Sequence, residues 1–418
     1  APDPAYTLSG DEGQNGWYIS DVTITPPNGY TISNALNGEY SDSLTVNASA
    51  ENIIIYLKNE QGQMTNAISV GEIKIDKDDP SINATGNTTD YLTEDTAKIT
   101  ASDSISGVAK VEVKKDNGEF ADITLSYDEG YSITENGTYT FRVTDNAGRT
   151  AQQTLEYEKI DSAKPVVIID ATHGGETYTD GAWTNKDITL TPQNKTGNLG
   201  TTTYQYRVDG GVWLDYTESI VIRTDTDVDG LLYEFKAKSA SGVESDVASI
   251  TVKLDKTAPD GDIRIEENSV KKFINTITFG LFYNENVDVT ITGTDDLSGA
   301  ASIRYYCSEA ILTEAQVADL ADEDWTEYTG TISVTAEDAE KFVYYVKVTD
   351  NAGNESCFAS NGATFDLTDP VISGVANEGE YYTTQTVQVT DEHLDTVTLN
   401  GEAVDSSFTL AGNVEADI

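Results

Sequence analysis

Histidine and cysteine are scarce in this sequence of 418 residues. The two histidines, His173 and His393, lie far apart, and neither belongs to a motif that pairs a histidine with a nucleophile. Two cysteines, Cys307 and Cys357, are too few for a disulfide scaffold and identify no redox compartment. The many acids stand mainly in turns, where small domains lack the cleft that paired catalytic carboxylates need. We therefore expect no enzymatic activity and assign no catalytic residue.

Positive charge is also scarce. Lysine and arginine total 25 against 72 aspartates and glutamates, which gives a net charge of −47 at pH 7. Nucleic acids and anionic membrane surfaces bind clustered basic side chains, so both are poor partners for this chain, and we expect no nucleic-acid binding. No apolar run of membrane-spanning length and no lipidation motif occurs, so we expect no membrane insertion in this segment. Divalent cations are the natural ligands of such a chain, although acidity alone is also typical of soluble proteins.

Two copies of one motif organise the chain. They are VTDNAGR at 143–149 and VTDNAGN at 348–354, and each is followed by a strand-like run and a closing phrase that contains an aspartate and ends in proline. The closing phrase occurs four times: IDKDDP at 75–80, KIDSAKP at 159–165, LDKTAP at 254–259 and FDLTDP at 365–370. The closures recur at intervals of roughly 100 residues, which is the size of one small β-domain.

The closures divide the chain into five predicted units, which are 1–77, 78–161, 162–256, 257–368 and 369–418. Units one and three resemble each other, and units two and four share alternating strands around an SDSISG or TDDLSG turn. The fifth unit stops before any hairpin of the DNAG kind, and the chain opens with Ala1-Pro2, which matches the end of a closure. We therefore expect a segment of a longer array whose last domain is truncated.

The composition predicts an all-β protein. Threonine, valine, isoleucine and 23 tyrosines favour strands, and turns rich in glycine, asparagine and aspartate separate them, which predicts antiparallel two-sheet sandwiches. The exception is ILTEAQVADLA at 311–321 in unit four. Thr313 and Gln316 have capping-box spacing, and an apolar face can form, so this stretch predicts a short helical insert. The residues of that face are Leu312, Ala315 and Leu320.

The turns, the VTDNAG hairpins and the D-K-T-A-P closures together resemble the tandem immunoglobulin-like domains of Gram-positive bacterial surface proteins. The resemblance covers nearly the whole chain, strongly in units two and four and weakly in units one and three. Its closest match is residues 273–299, FINTITFGLFYNENVDVTITGTDDLSG. The resemblance implies immunoglobulin-like β-sandwiches outside a cell, on a bacterial surface or secreted, but implies no ligand.

Two calcium sites are predicted from the positions of acids in such sandwiches. The loop between the second and third strands and the hairpin between the last two strands lie at the end where the chain enters from the preceding domain. Calcium takes about six to eight oxygen ligands, which acidic turns, carbonyls and water can supply. The candidate ligands are Asp76, Asp79, Asp103, Asp145 and Asn146 between units one and two, and Asp255, Asp295, Asp296, Asp350 and Asn351 between units three and four. Between units two and three only Asp161 is in place, so no site is predicted there.

An alternative assigns the same acids to turn chemistry. Aspartate and asparagine side chains bond their own backbone, and Gly148 and Gly353 allow the left-handed conformation of a hairpin.

Trp17 and Trp183 occupy matching positions, as do Trp213 and Trp325, which favours packing over sugar binding. The two cysteines fall on predicted strands that flank a third, so a Cys307–Cys357 disulfide would need local rearrangement, and two thiols are the alternative.

The sequence thus predicts a stalk or adhesin segment that spaces or presents a binding site and is monomeric in solution, with calcium stiffening two junctions. One alternative is a spacer array of an extracellular carbohydrate-active enzyme. Another is a direct binder of a protein or glycan on a host or neighbouring cell, through surface loops or the insert of unit four.

Overall fold

The computed structural model describes residues 5–337, 340–411 and 416–418. Within these residues every hydrogen-bonded sheet is built from strands of a single predicted unit. The buried hydrophobic clusters follow the same division, and none of them mixes residues of two units. The predicted fold class is confirmed: the chain is all-β, in tandem immunoglobulin-like sandwiches with a short helical insert in the fourth.

Unit one is a sandwich of a three-stranded and a four-stranded sheet, ordered β1-β3-β5 and β2-β7-β6-β4. Its strands are β1 Thr7–Ser9, β2 Trp17–Tyr18, β3 Val22–Thr25, β4 Tyr30–Ser33, β5 Leu44–Val46, β6 Ala50–Asn59 and β7 Ile68–Ile75. Alternation along β3 turns Val22 and Ile24 inward, where both are fully buried. β2 runs parallel to β7, and the other pairs are antiparallel.

Unit two has the sheets β12-β9-β8 and β11-β10-β13-β14. Its strands are β8 Ser81–Thr85, β9 Asp95–Ser102, β10 Val108–Lys115, β11 Ala121–Asp122, β12 Tyr131–Ile133, β13 Gly137–Asp145 and β14 Thr150–Tyr157, with a 3-10 turn at Tyr127–Glu129. Phe141 and Val143 of β13 are fully buried between the sheets. The VTDNAGR motif is the hairpin from β13 to β14, so the last two strands pair as predicted.

Unit three has the sheets β16-β15-β18-β21 and β17-β23-β22-β19-β20. Its strands are β15 Val167–His173, β16 Glu176–Thr177, β17 Trp183–Thr184, β18 Ile188–Asn194, β19 Thr203–Val208, β20 Leu214–Tyr216, β21 Ile220–Ile222, β22 Leu231–Lys238 and β23 Ala248–Leu254. The predicted likeness to unit one extends to strand pairing, because Trp183 lies opposite Lys253 in a parallel pair and Trp17 lies opposite Lys74 in another.

Unit four has the sheet β25-β24-β28-β31 and a seven-stranded sheet that includes β26-β33-β32-β29-β30, with β34 joined to β32 and β27 to β34. Its strands are β24 Asp260–Ile265, β25 Asn268–Ser269, β26 Lys271–Lys272, β27 Phe279–Tyr283, β28 Val287–Thr294, β29 Ala300–Ser308, β30 Thr326–Glu327, β31 Ile332–Val334, β32 Lys341–Asp350, β33 Glu355–Ser360 and β34 Gly362–Phe365. Two 3-10 turns lie at Ile274–Thr276 and Asp322–Asp324.

The helical insert of unit four is shorter than its predicted range. Helix α1 covers Glu314–Ala318, and Thr313 and Gln316 form the predicted capping box. Val317 is the buried residue of the helix, whereas Ala315, which was predicted on the apolar face, is exposed. The insert covers the outer face of the seven-stranded sheet with a second small core, which contains Ile277, Val317, Trp325, Val343, Tyr345 and Ala359. Strand β32 is therefore buried on both faces instead of alternating.

The fifth unit consists of the sheet β35-β36-β39 and the pair β37-β38. Its strands are β35 Val371–Ser373, β36 Gln385–Thr390, β37 Val397–Leu399, β38 Glu402–Val404 and β39 Ser407–Leu410. Val387 is fully buried and Val389 nearly so, as expected for alternate residues of an inward-facing strand.

Candidate metal sites at the domain junctions

Three aspartates meet between units one and two, and we call them the first acidic cluster: Asp76, Asp103 and Asp145. Asp76 follows the last strand of unit one, Asp103 follows β9, and Asp145 ends β13. One oxygen from each carboxylate lies within 4.8 Å of the others. Asp76 and Asp145 are fully buried, and Asp103 is half-buried. The topology thus brings acids from three separate segments into one small space.

Backbone amides hold two of these carboxylates in place. Oδ1 of Asp103 accepts hydrogen bonds from the N–H groups of Ile105 at 3.1 Å and Gly107 at 2.6 Å. Oδ2 of Asp76 accepts from the N–H of Ser106 at 3.1 Å, so the linker aspartate of unit one bonds a loop of unit two. The cluster is therefore also a contact between the two units.

Asp145 has one carboxylate oxygen without a hydrogen-bond donor in the described part of the chain. Its Oδ1 accepts from the N–H of Arg149 at 2.9 Å, but its Oδ2 is shielded from solvent and has no hydrogen-bond partner among the described residues. Burial raises the pKa of the Asp145 carboxyl, and the nearby charges of Asp76 and Asp103 raise it further. A buried acceptor without a donor costs about 1–3 kcal/mol, and more when it is charged. A cation at this oxygen would remove that cost.

Three aspartates also meet between units three and four, and we call them the second acidic cluster: Asp255, Asp295 and Asp350. Their ligand oxygens lie within 4.8 Å of one another. The bonding repeats the first cluster, because Oδ1 of Asp295 accepts from Gly299 N–H at 2.8 Å and Oδ2 of Asp255 accepts from Ser298 N–H at 3.2 Å. The same loop design thus occurs twice in one chain.

The two clusters differ at the last residue of the hairpin motif. In the second, the Asn354 amide donates to Oδ2 of Asp350 at 2.7 Å and to the backbone carbonyl of Asp255 at 2.9 Å. In the first, the corresponding residue is Arg149, and its guanidinium pairs with Asp79 at 2.6 Å. Asn354 therefore supplies the donor that the Oδ2 atom of Asp145 does not have.

The other predicted ligands are Asp79, Asp296, Asn146 and Asn351, and the two aspartates belong to neither acidic cluster. Asp79 is exposed and pairs with Arg149, and Asp296 is exposed. The side-chain amide of Asn146 donates to the carbonyls of Ser106 at 2.9 Å and Gly107 at 3.1 Å. Asn351 makes the same pair of bonds, to Ser298 at 2.8 Å and Gly299 at 3.0 Å. The two asparagines thus brace the loop that carries Asp103 or Asp295.

At the junction of units two and three, the linker aspartate Asp161 accepts hydrogen bonds instead of facing other acids. The Asn198 amide donates to Oδ2 of Asp161 at 3.0 Å and to Oδ1 at 3.3 Å, and Leu199 N–H donates to Oδ2 at 2.8 Å. Asp161 therefore faces donors rather than acids, and it belongs to none of the acid groups found among the described residues.

A further group at the junction of units four and five was not predicted. Asp366, Asp391 and His393, which we call the mixed cluster, offer ligand atoms within 4.8 Å of one another. A sequence signal for it exists, because Asp391-Glu392-His393 aligns with the Asp103-Ser104-Ile105 and Asp295-Asp296-Leu297 segments. The alignment was missed because the fifth unit contains no DNAG hairpin.

The tryptophans and cysteines show no pairing that suggests a binding site of their own. Each tryptophan ring packs beneath a basic group: Trp17 beneath Lys74, Trp183 beneath Lys253, Trp213 beneath Arg207 and Lys236, and Trp325 beneath Lys347. Cys307 and Cys357 are free thiols. They lie on β29 and β33, opposite Tyr344 and Lys347 of the strand between them, so they are offset along the sheet as well as separated across it.

The sequence matches no protein-family model and no curated protein. Its structure resembles tandem-domain arrays at low identity. The three N-terminal domains of the bacteriophage RB49 outer capsid protein Hoc share 12% identity at a TM-score of 0.33, covering 69% of this chain and 100% of that one. A segment of a 1.5-MDa bacterial ice-binding adhesin shares 13% at 0.30, covering 70% and 99%. Sidekick-1 immunoglobulin domains 1–4 share 12% at 0.27, covering 88% and 100%.

At these TM-scores the likeness carries no argument, and the fold assignment rests on the strands and cores described above. The class of protein is a tandem array of immunoglobulin-like β-sandwiches. No helix in the described part of the chain is long and apolar enough to cross a membrane.

Proposed function

We propose that this chain is a non-catalytic segment of a bacterial cell-surface or secreted protein. It acts as a stalk or adhesin region that spaces or presents a binding site, and Ca²⁺ stiffens its junctions at the two acidic clusters. The proposal is carried by one observation: acids from three separate segments converge at two junctions, and a fully buried carboxylate oxygen of Asp145 has no donor among the described residues.

Electrostatics favours a cation at these positions. Like charges a few ångströms apart repel strongly where burial lowers the effective dielectric constant. Calcium accepts carboxylate oxygens in flexible geometry, and water or backbone carbonyls can complete its shell. Three carboxylates offer only oxygen ligands, and these suit Ca²⁺ better than they suit softer metals.

The position of the clusters links ion binding to stiffness. Asp76 belongs to the linker, whereas Asp103 and Asp145 belong to the following unit. The two units also touch beside the cluster, where Gln14 N–H donates to the Ala147 carbonyl at 2.8 Å. Gly148 has φ +89°, and a Cβ atom there would lie 2.7 Å from Gln14, so the hairpin needs glycine for both its turn and this contact. An ion that holds the linker to the loops would restrict motion between the units.

Calorimetric unfolding of the whole chain in EDTA and in millimolar Ca²⁺ tests the proposal. A ligand that binds only the native state at 100 times its Kd stabilises it by about 2.7 kcal/mol, so the transitions of units two and four should move to higher temperature. The variants Asp145→Asn and Asp350→Asn should each lose the shift of one unit. Asp296→Asn removes the same charge from an exposed position beside the second cluster, and it should keep both shifts.

Small-angle scattering of the same samples reports the stiffening itself. Calcium should narrow the distribution of interdomain distances in the wild type but not in the double variant Asp145→Asn, Asp350→Asn. A wild type whose unfolding and scattering are the same in EDTA and in Ca²⁺ would refute the calcium proposal and leave the acids with turn chemistry alone.

A second candidate function, direct binding of a protein or glycan, is favoured by a cleft beside the insert of unit four. The cleft has a volume of about 690 Å³ and is lined by Phe273, Val317, Lys347, Glu355 and other residues of the insert and sheet. Phe273, at the edge of the cleft, is 75% exposed and offers an apolar ring to a ligand. Saturable binding to a glycan array or to intact cells that Phe273→Ala abolishes would support this role, and equal binding by both proteins would exclude the cleft.

A further inference from the structure

The mixed cluster occupies the same structural position as the two acidic clusters. Asp366 is the linker aspartate after the last strand of unit four, as Asp76 and Asp255 are in their units. Asp391 follows β36, as Asp103 follows β9, and its Oδ1 accepts from the N–H two residues later, that of His393, at 2.8 Å. The corresponding distances are 3.1 Å at Asp103 and 3.0 Å at Asp295.

Its third member is a different kind of ligand. In the acidic clusters the third group is the hairpin aspartate, and the residue at the position of His393 is Ile105 or Leu297. At this junction the hydrophobic residue is replaced by an imidazole that takes part in the cluster, and no hairpin aspartate of the fifth unit belongs to it among the described residues. The ligand set thus changes from three carboxylates to two carboxylates and one nitrogen.

The His393 imidazole packs on a ring of unit four, and one of its nitrogens is shielded from solvent. Its ring packs on Phe282 of β27 with centroids 4.6 Å apart and an interplanar angle of 41°. Its Nδ1 is shielded from solvent, lies 3.4 Å from Oδ2 of Asp366, and lacks hydrogen-bond geometry with any described residue. The other histidine differs, because Nδ1 of His173 lies 2.7 Å from the Thr184 hydroxyl. The Nδ1 atom of His393 therefore lies beside the Asp366 carboxylate, at a distance that gives an ion pair when the ring is protonated but no hydrogen bond.

We propose that Asp366, Asp391 and His393 bind a borderline transition-metal cation, of which Zn²⁺ is the representative. Imidazole nitrogen and carboxylate oxygen are both good zinc ligands, and three protein ligands with one water complete a four-coordinate ion. Calcium selects oxygen ligands and gains little from an imidazole, so this junction and the two acidic clusters should prefer different ions. The bound ion would join the linker after β34 to the loop after β36, and thus tie unit four to unit five.

The two histidines provide a built-in control for testing this site. The experiment follows both imidazole signals by NMR in the full chain labelled at histidine, while Zn²⁺ is added in a background that carries Cys307→Ser and Cys357→Ser to remove thiol ligands. The His393 signal should shift and saturate at one equivalent of Zn²⁺, while the His173 signal stays in place. Saturating Ca²⁺ should not prevent the shift, so the result does not depend on the acidic clusters.

Two variants separate this site from adventitious binding by one histidine. Asp366→Asn and Asp391→Asn keep His393, and each should weaken Zn²⁺ binding by at least tenfold as measured by the same signal. His393→Leu restores the residue type of unit four at this position. In isothermal titration calorimetry it should lose the one-equivalent Zn²⁺ binding of the parent, while the fold, monitored by circular dichroism, stays unchanged. The proposal is overturned if both histidine signals move together, if neither moves at tenfold excess Zn²⁺, or if the aspartate variants bind as tightly as the parent.

Discussion

The linker aspartates Asp76 and Asp161 make the same turn, but they face different groups of the next unit. The N–H of Asp76 donates to the Tyr18 carbonyl of its own unit at 2.8 Å, and the N–H of Asp161 donates to Leu92 at 2.8 Å. Each carboxylate then accepts from the N–H two residues later, at 3.1 Å in both cases. Beyond that shared turn, Asp76 faces two further acids, whereas Asp161 faces the amide of Asn198.

The comparison assigns different contacts to the two carboxylate oxygens of the linker aspartate. One oxygen of the linker aspartate makes the turn, and the other is presented to the loops of the next unit. The same division recurs at the other two junctions, where Oδ1 of Asp255 accepts from Thr257 N–H at 2.9 Å and Oδ1 of Asp366 accepts from Thr368 N–H at 3.3 Å. Turn chemistry is therefore common to all four linkers, and the following loop determines whether acids, an amide or an imidazole face the second oxygen.

Replacing the amide of the middle junction by an acid should produce the largest effect. Asn198→Asp removes the donor to Asp161 and places a second negative charge beside it, which should lower the free energy of unfolding by about 2–3 kcal/mol in EDTA. Millimolar Ca²⁺ should recover part of this loss, because the junction then resembles an acidic cluster. Chemical denaturation in the two buffers measures both quantities. Asn198→Ala, which removes the donor without adding charge, should show a loss but no recovery, and equal behaviour of the two variants would contradict the comparison.

The reverse change at the first acidic cluster should stabilise the chain when metal is absent. Asp145→Asn removes a buried charge and should raise the free energy of unfolding of unit two by about 1 kcal/mol in EDTA at neutral pH. Linkage gives the sign: because the folded-state pKa of Asp145 lies above the usual 3.8, the wild type gains stability as pH falls through that raised value, and the variant does not. The difference between the two proteins should therefore shrink in acid. Unfolding curves at neutral and acidic pH in EDTA measure it, and a variant that is less stable than the wild type at neutral pH would contradict the assignment.

Asn354→Ala tests the difference between the two acidic clusters. Loss of the amide that donates to Asp350 and Asp255 should lower the stability of unit four by about 1 kcal/mol in EDTA. It should also increase the gain from Ca²⁺, since the ion no longer competes with the amide for Oδ2 of Asp350. Calorimetry of unit four in both buffers gives the two values. If Ca²⁺ stabilises this variant no more than it stabilises the wild type, the Asn354 amide does not compete with the ion for Oδ2 of Asp350.

The sequence predicted the positions of the acids better than their contacts. The repeats align Asp76 with Asp255, and Asp103 with Asp295, so topology alone brings them together. The sequence did not predict that Asp79 pairs with Arg149. Whether Asp76 or Asp79 turns inward depends on side-chain conformations that are set by the folded hairpin. The mixed cluster was not predicted because the fifth unit lacks the DNAG hairpin, and the sequence does not show that His393 packs on Phe282 of the preceding unit.

The smallest expected effect concerns Asp79, which has the same charge as Asp76 and stands three residues from it. Its side chain is 63% exposed and paired with Arg149, and exposed ion pairs contribute about 0–1 kcal/mol. Asp79→Asn should therefore change the free energy of unfolding in EDTA by less than about 0.5 kcal/mol, and Ca²⁺ should still stabilise unit two. Asp103→Asn should remove the stabilisation by Ca²⁺. Calcium titration followed by the unfolding temperature of unit two compares the two variants. If Asp79→Asn weakens calcium binding as much as Asp103→Asn does, the linker contributes two ligands, and the ion must draw Asp79 away from Arg149 when it binds.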